Sequence, residues 1–293
     1  MLTLLLLACA PATTEDTTSA DENIDSGTDG GLPDGMAELA TVTDTNCPDL
    51  SSPGKFTITS LELERTGYIW YPEDKPANMP VIFIYHPLGG TARGMNSYFD
   101  LKNWAEENQT ILVVPQSDAS NPFEWGFLNL EDGAEDLALF DDMRTCLVND
   151  LGADPARFYA NGMSAGGLWT TFLSIHRGDS LAAILPFSGG TGDVVQYTTP
   201  ASKFPAMMTY GGETDTYNAG VAVIDFMDAT LQFAESLSAD GHLVVTCNHN
   251  GGHNYPPAAM DFLRDWLLPH TFGEESPFAG GDLSAFPDYC EVY

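Results

Sequence analysis

From about residue 56 onward, short apolar runs alternate along the chain with longer stretches in which apolar residues recur every three or four positions. The runs "YIWY" (68–71), "VIFIY" (81–85), "ILVVP" (111–115), "RFYANG" (157–162), "AAILPFSG" (182–189), "AMMTYGG" (206–212) and "LVVTCN" (243–248) read as strands, several of them apolar on both faces. Between them, residues 133–152 place Leu137, Phe140, Met143 and Leu147 on one helical stripe, and residues 221–241 carry a similar one. "SAGGLWTTFLSIHR" (164–177) and "AAMDFLRDWLLPH" (258–270) read as further helices. Strands without a polar side need cover on both faces, and the amphipathic stretches between them supply it. The pattern predicts an α/β fold, a mostly parallel central sheet with helices on both faces, and no internal repeat is present.

The first nine residues do not fit that pattern. "MLTLLLLAC" is an apolar run too short to span a bilayer, and it reads as a secretion signal. Its "LLAC", Leu6 to Cys9, resembles the bacterial lipobox, which predicts a lipid on Cys9 and a protein secreted or held at a bacterial cell surface. Residues 10–46 contain nine acids and no Lys or Arg among many Thr, Ser and Gly. With so little apolar surface to bury, they are expected to form a flexible tether, leaving 47–293 as the folded domain.

Charge narrows the partners. The chain carries −32 overall, and without the tether it still has 33 acids against ten bases. Nucleic acid is excluded as a partner, and a membrane enters only through the lipid on Cys9. Five cysteines occur, at 9, 47, 146, 247 and 290. If Cys9 takes lipid, four remain, and an even set in an exported protein implies two disulfides. Of the three connectivities, Cys47–Cys146 with Cys247–Cys290 is the favoured one.

In a sheet of this kind, reactive groups collect on loops beyond the C-terminal strand ends. "NGMSAGG" (161–167) lies there, after a strand and opening a helix, and Gly162 to Gly166 satisfies G-x-S-x-G in the required context. Ser164 is therefore the candidate nucleophile. Its partners should follow in the order acid, then histidine. Among six histidines, His253 in "NHNGGHNYPP" suits the base, on a glycine-rich loop after the last predicted strand and before the final helix. His270 at the end of that helix has a structural explanation. Asp215 in "GGETD" is the candidate acid, with Glu213 as its alternative. An oxyanion formed at Ser164 would need two amides: that of Ala165 and one from "HPLGGTA" (86–92). Pro87 has no N–H, so Leu88 is the natural donor and Gly89 the fallback.

With those residues in place, the chain resembles the α/β-hydrolase esterases of the polyhydroxybutyrate depolymerase and feruloyl esterase group over most of 47–270. The likeness rests on "ELERTGYIWYP", "HPLGGTA", "WGFLN" (125–129), "EDLALFDDM", "DPARFYANGMSAGG", "GGETD" and "GGHNYP" (251–256), in the family's order. It departs in having His86-Pro87 where the family usually has His-Gly. The resemblance implies an α/β-hydrolase fold and a serine esterase acting on feruloyl or aryl esters or polyester oligomers. Ser164 would be nucleophile, Asp215 acid, His253 base, and Leu88 and Ala165 the oxyanion hole. Such chemistry needs no metal or organic cofactor. Trp125, Tyr217 and Tyr255 are expected to contact a small-molecule or polymeric ester, while Trp169, on a helix, reads as core. Two other functions compete: an acyltransferase on the same three residues, and a catalytically silent binding protein.

Overall fold

A computed structural model describes residues 31–44, 46–128, 133–218, 220 and 223–293. The secretion signal and Cys9 therefore lie outside the described residues.

Eleven strands occur among the described residues: β1 (Gly54–Ser60), β2 (Leu63–Trp70), β3 (Val81–Tyr85), β4 (Ile111–Pro115), β5 (Phe158–Met163), β6 (Ala183–Phe187), β7 (Ala206–Tyr210), β8 (Thr216–Asn218), β9 (Val223–Asp225), β10 (Val244–Asn248) and β11 (Cys290–Val292). Nine of them form one sheet in the order β1-β2-β4-β3-β5-β6-β7-β10-β11. The six from β4 to β10 run parallel, and β1, β2 and β11 close the two edges antiparallel. β8 and β9 pair as a separate small hairpin. The parallel strands β3 to β7 are buried at every residue, which is why their sequence shows no polar face.

The helices are α1 (Ala92–Phe99), α2 (Leu101–Glu107), α3 (Ala134–Leu151), α4 (Ala165–Arg177), α5 (Phe226–Ala239) and α6 (Ala259–Phe262), the last continuing as one wide turn over Leu263–Leu267. They divide the core into two halves, one on each side of the sheet. One half joins Phe83, Phe140, Trp169 and Phe233; the other joins Ile82, Trp104, Tyr159 and Trp266. The stripe of Leu137, Phe140, Met143 and Leu147 faces the first half, fully within the protein.

The tether expected over 10–46 needs correction in its second part, because Leu32 to Tyr293 is one compact unit. The reason is hydrogen bonding together with the packing of Leu32, Met36 and Val42 against the core. Asp142 on α3 accepts from the Thr43 amide at 2.9 Å and the Thr43 hydroxyl at 2.6 Å, while Thr145 donates to the Ala40 carbonyl at 2.9 Å. Arg144 reaches the Ala37 carbonyl at 3.1 Å. Polar groups on a packed helix thus find their partners in the backbone of 37–43. Two disulfides, Cys47–Cys146 and Cys247–Cys290, tie this segment to α3 and the C-terminal strand to β10.

Candidate active site

The site begins at a backbone conformation. Ser164 sits between β5 and α4 at φ 58° and ψ −119°, a region that side-chain-bearing residues rarely occupy and that is held here by its surroundings. Its amide donates to the Phe187 carbonyl at 3.0 Å, and its carbonyl accepts from the Leu168 amide at 2.8 Å. The flanking glycines are needed for close approach. A Cβ on Gly162 would lie 2.3 Å from the Gly166 carbonyl oxygen, and one on Gly166 would lie 2.1 Å from that of Tyr85. The turn is therefore the strained elbow that G-x-S-x-G predicts, with the hydroxyl above the C-terminal edge of the sheet.

Two glycine-bearing loops bring the partners to it. The Gly252 amide donates to the Gly211 carbonyl at 2.9 Å, a contact so close that a Cβ on Gly211 would lie 1.9 Å from the Gly252 oxygen. The loop after β7 and the loop after β10 thereby become one unit. On it, His253 Nδ1–H donates to Asp215 Oδ1 at 2.6 Å, and Nε2 accepts from the Ser164 hydroxyl at 2.8 Å. Asp215 is fully buried, and its other oxygen accepts from the Gly211 amide at 2.7 Å and the Ser188 hydroxyl at 2.8 Å. Glu213, the alternative acid, is exposed. The carboxylate thus fixes the tautomer: with Nδ1 protonated, Nε2 is free to take a proton from Ser164.

Opposite the imidazole lies the loop after β3. Gly89 adopts φ 72°, and its amide donates to Glu124 Oε2 at 3.2 Å. Among the described residues, the Leu88 and Ala165 amides have no hydrogen-bond partner. His86 is fully buried; it donates from Nδ1 to the Pro87 carbonyl at 2.9 Å and accepts at Nε2 from the Ser117 amide at 3.2 Å. Burial pulls its pKa down, so the ring is a neutral brace rather than a base.

Ser164, Leu88, Ala165 and Tyr217 line one shallow, open pocket together with Phe123, Leu168, Ile224 and Phe226. Apart from the serine and the phenol it is apolar. Trp125 and Tyr255 are not in it, which corrects two expected substrate contacts. Trp125 is 0 % exposed, stacks on Trp169, and donates from Nε1 to the His86 carbonyl at 3.0 Å. It supports the loop from beneath because the chain turns that face of residue 125 inward. Tyr255 packs on Phe99 and Phe187 beside a separate cavity, and burial raises its phenol pKa. Trp169 is core, as expected.

Sequence reading missed Phe226, whose ring stacks on His253, and Phe123, Leu168 and Ile224 in the pocket wall. It also missed Ser188. That residue had a signal, a hydroxyl just past the C-terminal end of β6. Phe226 had none, since an aromatic opening a helix looks like any core position.

No family model matches the chain. Among curated proteins it is 32 % identical over 129 residues to a feruloyl esterase B of Thermothelomyces thermophilus, covering 42 % of this chain and 43 % of that one. It is 26 % identical over 126 residues to a feruloyl esterase B of Talaromyces funiculosus, covering 42 % and 35 %. The matched region thus spans less than half the length of either relative. Among solved structures, the native form of a protein called sOPH superposes with a TM-score of 0.68 at 18 % identity, covering 85 % of this chain and 96 % of that one. A thermostable esterase superposes with a TM-score of 0.55 at 17 % identity, covering 75 % and 63 %. The chain has the α/β-hydrolase fold. A ferulic acid esterase shares this fold, with a TM-score of 0.57 at 14 % identity over 74 % of this chain and 96 % of that one.

Proposed function

We propose that this α/β-hydrolase is a serine carboxylic-ester hydrolase acting on small esters with an apolar acyl group, feruloyl and other aryl esters among them. The observation that carries this reading is the connected line from Asp215 through His253 to Ser164, at 2.6 and 2.8 Å, beside two amides without partners. His253 takes the Ser164 proton as Oγ attacks the ester carbonyl. The C–O bond to the alcohol breaks as His253 returns that proton to the leaving oxygen. Water, deprotonated in turn by His253, then attacks the acyl-enzyme, and the acid leaves as Ser164 recovers its proton. Asp215 holds the imidazole and stabilises the imidazolium. The Leu88 and Ala165 amides donate to the oxyanion, each such donor contributing about 3 kcal/mol in related sites.

The apolar wall beside Ser164, with Phe123, Tyr217 and Phe226 on it, suits an apolar or aromatic acyl group. The feruloyl esterase relatives agree with that choice. Two disulfides suit an oxidising compartment, so we propose export, with the lipid on Cys9 as the anchor.

The test compares wild type with Ser164→Ala on p-nitrophenyl acetate and butyrate, methyl ferulate and a polyhydroxybutyrate suspension, alongside labelling by a fluorophosphonate probe. Hydrolysis and labelling in wild type, both absent in the variant, are expected. A wild type that neither hydrolyses any of these nor labels would end the proposal.

A further inference from the structure

Phe226 makes three contacts that a residue placed only to fill the core would not need to combine. Its ring stacks on His253 with centroids 4.5 Å apart and planes 17° from parallel. Its amide donates to the Asp215 carbonyl at 2.9 Å. Its side chain, 1 % exposed, also forms part of the pocket wall beside Ser164. One residue therefore touches His253 and Asp215 and shares the pocket of Ser164.

The imidazole is held at both nitrogens, but those bonds lie at its edge, in the plane of the ring. Both resist tilting of the plane about the Cβ–Cγ bond only through partners at the ring's edge. A flat, buried surface parallel to the ring adds a restraint across its whole face, and Phe226 is the aromatic ring stacked on His253 among the described residues. Stacking also has an electrostatic consequence. The face of a benzene ring is negative, and a cation over it is stabilised. His253 becomes a cation in each half of the proposed reaction, and its side chain is only 24 % exposed, so water screens the attraction only in part.

We infer that Phe226 is a positioning residue for His253, holding the imidazole plane toward Ser164 and stabilising the imidazolium as it forms. The inference rests on the proposed esterase reading. An aromatic face at a partly desolvated site changes a cation's free energy enough for about a tenfold effect on rate.

Phe226→Leu keeps an apolar side chain and removes the face. On p-nitrophenyl acetate, whose acyl group is too small to depend on the pocket wall, the expected result is kcat lower by about tenfold with KM nearly unchanged. Phe226→Tyr, which restores the face, should recover kcat. In proton spectra of the folded protein, the His253 Nδ1–H resonance should exchange with water faster in Phe226→Leu than in wild type. A folded Phe226→Leu with wild-type kcat and an unchanged resonance overturns the inference. So does a loss confined to KM, which would make Phe226 a pocket wall alone, and so does equal damage in Phe226→Tyr. If Phe226→Leu does not fold, pentafluorophenylalanine at this position keeps the shape and reverses the charge of the face. There a lower kcat supports the inference and wild-type kcat overturns it. A wild type inert to esters and to the fluorophosphonate probe would instead remove the esterase reading, and this inference with it.

Discussion

Asp215→Asn probes the site at a single atom, and the surrounding hydrogen bonds dictate which way the new amide must turn. In the native site Oδ2 accepts from the Gly211 amide and the Ser188 hydroxyl, while Oδ1 accepts from His253 Nδ1–H. A hydroxyl can rotate to become an acceptor, but the Gly211 N–H cannot. The asparagine oxygen must therefore take the Oδ2 position, and its NH₂ must face Nδ1. The imidazole then accepts at Nδ1 and carries its proton on Nε2, where it points an N–H at Ser164 and can no longer receive the hydroxyl proton. The carboxylate that would stabilise the imidazolium is gone as well. Equivalent substitutions in serine proteases cost about 10⁴-fold in kcat, equal to about 5 kcal/mol in the barrier. Because the Gly211 bond survives, the fold should too. Initial rates on p-nitrophenyl acetate, with a thermal melt on the same samples, measure both. A folded Asp215→Asn within tenfold of wild type would refute the tautomer reasoning, and Glu213→Gln, altering an exposed carboxylate, should leave the rate within about twofold.

Unfolded, unreduced protein should show no free thiol at Cys47, Cys146, Cys247 or Cys290; four free thiols in a titration would contradict both bridges. Closing loops of 99 and 43 residues, the two bridges should stabilise the fold by about 5 and about 4 kcal/mol, so replacing the Cys47–Cys146 pair by alanines should cost slightly more in urea unfolding. Burial holds His270 down to about 4, against 6.5 when exposed. The unfolded chain thus takes up the proton first as pH falls, and stability complete above about pH 7 should drain between 6.5 and 4, by about 3 kcal/mol from this residue. His270→Asn should flatten that part of the stability profile, and an unchanged slope would count against it.

The central strands were legible because burial on both faces leaves no choice of residue, and β3 and β4 match their apolar runs to the residue. β1 was not. It alternates exposed and buried positions, and the turn joining it to β2 uses Leu61 and Glu62, both at positive φ, where a hairpin usually advertises itself with Asn or Gly. β8, β9 and β11 have three residues each, too few to show a period. The segment over 32–46 was read as tether from its polar composition. Composition cannot reveal that its backbone satisfies Asp142, Arg144 and Thr145 on a helix about a hundred residues later. Ser164, Asp215 and His253 were legible for the opposite reason, since each is flanked by glycines that its close contacts require.

Trp125 shows how a residue can be singled out for the site and still be given the wrong part. An aromatic near a reactive loop reads equally well as a wall or as a support, and only the direction of its side chain decides. Here that direction places Trp125 beside the departure at Pro87. Bonds from outside the loop after β3 help to hold it, among them Trp125 to the His86 carbonyl, the Ser117 amide to the His86 ring, and the Gly89 amide to Glu124. Proline removes the donor at 87 and Glu124 occupies the donor at 89, so Leu88 carries the one amide between them that remains free. A glycine at 87 would add an N–H and a freely turning peptide to the same loop. The proline therefore narrows the loop to one donor in one orientation, with Trp125 as the buttress that keeps it there.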